Sequence, residues 1–104
     1  MRLSELKTSE QIAAAERRDP QVAAELARTS LAEQLALWLV RYRADRGLSQ
    51  TALARLVGMK QPAIARLEAG EHEPSLATLS RLSRALGVSL TVEIAPESVV
   101  LQSA

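Results

Sequence analysis

Residues 49–70, SQTALARLVGMKQPAIARLEAG, hold two short helical periods with a glycine between them. In the first, Leu53, Ala54 and Val57 fall on one face at helical spacing, and Gly58 supplies the left-handed residue that stops a helix. The second starts near Gln61 or Pro62, where the missing amide of a proline costs nothing because first-turn amides lack helical partners. It ends at Gly70, with Ile64 and Leu67 facing inward and Lys60, Gln61, Ala65 and Arg66 projecting elsewhere. Two short helices, a tight glycine turn and a small Ala54 at their closest approach describe a helix-turn-helix, the unit that offers its second helix to the major groove of DNA. Helix pairs of this pattern also occur as plain packing elements, so the pattern alone leaves both readings open.

The residue identities narrow the choice. Ser49-Gln50, Leu53-Ala54, Gly58-Met59, Ile64, Arg66-Leu67-Glu68, Gly70 and Pro74-Ser75-Leu76 stand at fixed offsets across some thirty residues. This arrangement closely resembles the Xre family of repressors. The resemblance implies a lambda-repressor-like bundle that binds DNA, with Arg43 and Glu68 at the two positions the family joins as an ion pair, either a purely structural salt bridge, the favoured reading, or one that also leaves the arginine near a phosphate. It also implies a phosphate contact for Gln50, at the helix start where the lambdoid phage repressors carry a matching glutamine. The expected DNA-contacting set is Ser49, Gln50, Lys60, Gln61, Pro62, Ala63, Ala65 and Arg66, with Arg43 beside them. Glutamine can bond adenine bidentately, and arginine or lysine can bond guanine. Two positions depart from the family: Lys60 stands where Ser or Thr is usual, and Pro62 replaces a residue that often donates hydrogen bonds. Lys60 is therefore open to a phosphate role as well.

At 104 residues the chain is long enough for one core and too short for two. Alanine and leucine dominate, and Trp38 and Tyr42 are the only aromatic residues, as suits a helical bundle. There is no cysteine, which excludes disulfides and thiolate metal sites. No apolar run approaches membrane length and no secretory core is evident, so a cytoplasmic protein without a membrane partner is expected. The formal net charge of +1 argues against a general nucleic-acid coat. DNA affinity would then depend on a local basic patch and on dimerisation.

Taken in order, Leu3 and Leu6 are a possible anchor, Ser9 caps a short alanine-rich helix EQIAAAERR, and Asp19-Pro20 ends it and starts another with Val22 and Leu26 four apart. Ser30 with Glu33 forms a capping box, so the chain restarts or bends there. An amphipathic helix over Leu31 to Arg46 follows, with Leu35, Leu39, Tyr42 and Trp38 inward and Gly47 closing it. After the central motif, residues 71–74 form a polar loop, and Ser75 caps a helix with Leu76, Leu79, Leu82, Ala85 and Leu86 inward. From Ser89 to Ile94 the period changes from 3.6 to 2, which predicts a half-buried strand. A lone strand cannot satisfy its own backbone. The expected partner is the same strand of a second copy, through Leu90, Val92 and Ile94. The predicted fold class is thus an all-α helix-turn-helix bundle (31–95) with extra N-terminal helices (1–30), a closing dimerisation strand (89–95) and a tail (96–104) that is either ordered or not.

An enzyme is not expected: the chain has no glycine-rich phosphate loop and a single histidine cannot build a nucleophile–base pair. No cofactor or metal is expected either, since His72 lies between two glutamates with no further nitrogen or sulfur ligands in prospect. The segment around Asp19-Pro20-Gln-Val-Ala-Ala-Glu, together with the repressor domain and closing strand, resembles the HigA-type antitoxins of toxin–antitoxin pairs. That resemblance implies a RelE/HigB-like ribonuclease toxin held by residues 1–30 and repression of the protein's own operon. A free-standing Xre-type regulator, or a protein-binding adaptor with weak DNA contact, are the alternatives.

Overall fold

The structure is a computed structural model that describes residues 29–104. Expectations for the N-terminal segment, from Leu3 through the helices begun at Ser9 and Asp19, lie outside the described residues. Among those described, the elements are α1 (Leu31–Arg46), α2 (Gln50–Val57), α3 (Gln61–Ala69), α4 (Leu76–Leu86), β1 (Leu90–Ala95) and β2 (Ser98–Ser103).

Each helix begins and ends where its sequence says it should. Ser30 and Glu33 form the reciprocal capping box of α1, and Ser49 and Ser75 accept the amides of Ala52 and Thr78 at the starts of α2 and α4. Lys60 precedes α3 without a side-chain cap. Gly58 and Gly70, both at positive φ, turn the chain out of α2 and α3. Gly70 also has a packing reason to lack a side chain. A Cβ there would press against Ala36 and the backbone of Glu33 at 3.4 Å, so the end of α3 sits almost directly on α1. Ala32 and Ala36, both buried, leave room for that approach.

The core joins all four helices. Leu35 and Leu39 from α1, Leu53, Ala54 and Val57 from α2, Ile64 from α3, and Leu79 and Leu82 from α4 form one buried cluster. Trp38, Tyr42, Leu67 and Leu86 pack around it. The inward stripe of α4 is shorter than its sequence suggests: Leu76 is 83% exposed and Ala85 is exposed. Leu76 is the first residue of α4, one turn before Leu79, and it projects beyond the body that Leu79 and Leu82 cover.

The C-terminal region corrects the sequence reading. The fold is not purely all-α, and residues 96–104 are not merely a tail: β1 has a partner within its own chain, because β2 folds back on it as an antiparallel hairpin. Two residues, Pro96 and Glu97, make the turn, with Ala95 opposite Ser98. Leu90, Val92 and Leu101 lie against the helical core.

Side chains of α1 pin the hairpin. Ser89 and Ala104 exchange both backbone hydrogen bonds, so the alternation of an antiparallel ladder turns the N–H and C=O groups of Val99 and Leu101 away from β1. Gln34 meets them there. Its amide nitrogen donates to the Val99 carbonyl and its oxygen accepts from the Leu101 amide at 2.8 Å. One turn further along α1, the Trp38 indole N–H donates to Ser103 Oγ at 3.0 Å. By the same alternation, Leu90, Val92 and Ile94 turn their backbone groups outward on the opposite edge, where the two-stranded sheet has no further strand among the described residues.

Candidate nucleic-acid interface

Helix α3 shows the environment three different sides. At about 100° per residue, Ile64 and Leu67 point into the body, Gln61 and Glu68 lie on the flank facing α2, Ala63 lies on the opposite flank, and Pro62, Ala65, Arg66 and Ala69 look outward. Burial follows that division: Ile64 is fully buried, whereas Lys60, Pro62, Arg66 and Ala69 are exposed and Gln61, Ala63 and Ala65 are half-buried. The outward side is thus an alanine and proline surface with one arginine upon it.

On the α2 flank, four side chains form a continuous chain of hydrogen bonds. Arg43 on α1 grips Glu68 with two parallel bonds, Nε to Oε2 at 2.7 Å and Nη2 to Oε1 at 2.8 Å, while its Nη1 donates to the Leu48 carbonyl at 3.0 Å. Gln50, at the first position of α2, donates to Glu68 Oε1 at 2.8 Å. Its own oxygen accepts from Gln61 Nε2 at 2.7 Å. The chain therefore runs from α1 through the end of α3 and the start of α2 to the start of α3.

This arrangement sorts the expected contact residues. Arg43 bonds to the protein through all three guanidinium nitrogens and so braces the motif, while Nη1 and Nη2 each keep a second N–H. Gln50 and Gln61 each hold the other in place. Gln61 retains one N–H and its carbonyl oxygen, the donor–acceptor pair that an adenine edge requires. Ser49 serves as the α2 cap, while the side chains of Lys60 and Arg66 make no hydrogen bond or ion pair among the described residues. His72 is exposed in the loop between α3 and α4.

One relevant residue escaped the sequence analysis. Arg81 on α4 reaches across to the α2–α3 turn, where its Nη1 donates to the Gly58 carbonyl at 3.0 Å. The contact joins residues 23 apart in the chain, and no local spacing points to it. Elsewhere on the basic surface, Arg46 lies 3.7 Å from the ring centre of Tyr42, which itself stacks on Trp38 at 5.3 Å.

The Arg43–Glu68 bonds hold the Glu68 carboxyl below the ordinary glutamate range, chiefly through the hydrogen bonds from Arg43, opposed by desolvation and helped by Gln50. A carboxylate favoured by the fold in this way contributes stability above its ordinary pKa and loses it as the pH falls through the depressed one. Glu68→Gln should therefore melt lower than wild type at neutral pH. Thermal unfolding followed by circular dichroism should show that difference shrinking below the ordinary value of 4.5. A constant difference down to pH about 2 would place the effect elsewhere.

A helix-turn-helix family model matches residues 39–92, over half of the chain, from the middle of α1 into β1. An uncharacterized HTH-type transcriptional regulator of Haemophilus influenzae is 40% identical over 68 residues, which cover 65% of this chain and 69% of that relative. No solved structure matches the chain. With its glycine turn, its inward Ile64 and its outward arginine all inside the matched span, the chain belongs to the Xre-like helix-turn-helix family of DNA-binding proteins.

Proposed function

We propose that this protein is a sequence-specific repressor that places α3 in the major groove of an operator. The observation that carries the reading is the half-buried Gln50–Gln61 bond at the start of α3. It fixes an amide with a free donor and a free acceptor at the edge of an otherwise smooth, sterically undemanding helix face. Gln61 reads an adenine edge, Arg66 a guanine edge, and the methyl groups of Ala63 and Ala65 pack beside thymine methyls. Gln50 sits where the start of α2 meets a backbone phosphate. The relative's description as a transcriptional regulator agrees with this. No enzymatic role is proposed.

Selection from a random duplex pool tests the reading. Wild type should enrich a site with two related half-sites about 34 Å, or whole helical turns, apart. Gln61→Ala and Arg66→Ala should each lower discrimination against a mismatched base by about 5- to 150-fold, the equivalent of about 1–3 kcal/mol. Failure of wild type to enrich any sequence would overturn the reading.

The working unit is a homodimer joined along β1. Of the two edges of the hairpin, β2 is occupied by Gln34, whereas β1 presents the outward backbone of Leu90, Val92 and Ile94 and an Ile94 side chain that is 77% exposed. Antiparallel pairing of two β1 strands across a twofold axis would make a four-stranded sheet and set two α3 helices on one face of DNA. Val92→Pro removes an outward N–H but no bond to β2. Sedimentation should show a dimer for wild type and a monomer for the variant, and a dimer in both would refute pairing through β1.

We further propose that the partner is a small ribonuclease toxin of the RelE/HigB-like kind, bound by residues 1–30, with the protein acting as a HigA-type antitoxin. The support is the resemblance of the segment around Asp19-Pro20 and its balanced charge, five basic against five acidic residues in 1–30. A free-standing regulator is the alternative, and the relative's description fits it equally. Co-expression with the adjacent reading frame decides between them. Capture of a protein of about a hundred residues by the full chain, lost on removal of residues 1–30, supports the antitoxin; capture of nothing leaves the free-standing regulator.

A further inference from the structure

The flank of α3 that faces away from Gln50 is cationic. A shallow hollow of about 480 Å³ opens there, floored by Gly58, Met59, Pro62 and Ala63 and rimmed by Lys60, Arg66 and Arg81. Among the described residues no acidic one lines it. Three positive side chains bordering one open hollow repel one another, and none of them has a carboxylate partner among the described residues. In a chain whose formal net charge is only +1, such a concentration is a local exception.

The backbone there offers an anion little help. Pro62 has no N–H, and the amides of Ala63 and Ile64 already point to the Lys60 carbonyl, so in the first turn of α3 the Gln61 amide alone has no partner among the described residues. Whatever binds must be held by the side chains. Arg81 is suited to that, because its bond to the Gly58 carbonyl anchors the guanidinium at the turn while leaving its other N–H groups unengaged among the described residues.

A helix lying in the major groove has a sugar–phosphate backbone on each side, across a groove about 12 Å wide. Gln50 and Gln61 occupy one side of α3, and the hollow occupies the other. We propose that Lys60 and Arg81 hold a backbone phosphate diester of the second strand, so that α3 is clamped from both flanks, with Arg66 at the rim reaching inward to the bases. This rests on the major-groove reading above and adds to it a phosphate contact made from α4, outside the two helices of the motif.

Salt titrations of DNA binding test it, using the full chain on its selected duplex and on an unselected duplex of equal length. Each lost phosphate contact should reduce the slope of log K against log salt by about one, equally on both duplexes, and leave the ratio between them unchanged. Lys60→Gln, whose side chain makes no bond within the described fold, and Arg81→Gln should both show this, and the double variant should lose about two. Wild-type slopes in both variants would overturn the clamp, and a lowered melting temperature for Arg81→Gln alone would then leave that residue as a cap on Gly58. Absence of wild-type binding to either duplex would overturn the DNA reading itself and this inference with it.

Discussion

One carboxylate ties the motif together. Glu68 lies near the end of α3, yet it receives the fork of Arg43 from α1 and the amide of Gln50 from α2, so three helices meet at two oxygens. The hydrophobic cluster around Leu39, Leu53 and Ile64 brings these helices together, but dispersion and burial have little directional preference and tolerate small rotations. A bidentate arginine–carboxylate pair does not. Through Gln50 the constraint passes to Gln61, so the orientation of the first side chain of α3 is set by a residue seven positions later. The desolvation that opposes ionisation of Glu68 is outweighed by these bonds, which is why the group remains charged at the centre of the arrangement.

The helical part of the fold was legible because its punctuation is local. Ser30, Ser49 and Ser75 cap through their own side chains, and Gly47, Gly58, Gly70 and Gly87 each take the left-handed conformation immediately after a periodic run. The hairpin was half legible. Alternation over Leu90 to Ile94 marked β1, but β2 reads SVVLQS, without clear alternation, and Pro96-Glu97 lacks the Asn-Gly or Asp-Gly signature of a two-residue turn. What stabilises β2 is remote: Gln34 lies 65 residues before Val99. Its amide was indistinguishable in sequence from any half-exposed helix residue. Leu76 failed for the opposite reason, since its spacing is right but no element among the described residues covers it.

Sequence placed Gln50 at the start of α2, Lys60 just before α3, and Gln61 and Arg66 on α3, because the glycine turn marks where one helix stops and the next begins. It could not say that Arg43 also donates to the Leu48 carbonyl, nor that Gln50 and Gln61 join, since these contacts depend on how the helices and the turn between them are placed. Arg81 was invisible for the same reason. Its side chain reaches the turn only because Leu79 and Leu82 bury the inner face of α4 and leave Arg81 on the side nearest Gly58.

The two edges of the hairpin are unlike, and this has a consequence for how chains can add to one another. With the Gln34 amide standing in for a neighbouring strand along the middle of β2, edge-on growth is open in one direction only. A second chain adding through its own β1 would use up the remaining sheet edge of the described residues on both molecules, so pairing of that kind would close at two instead of running on into a filament.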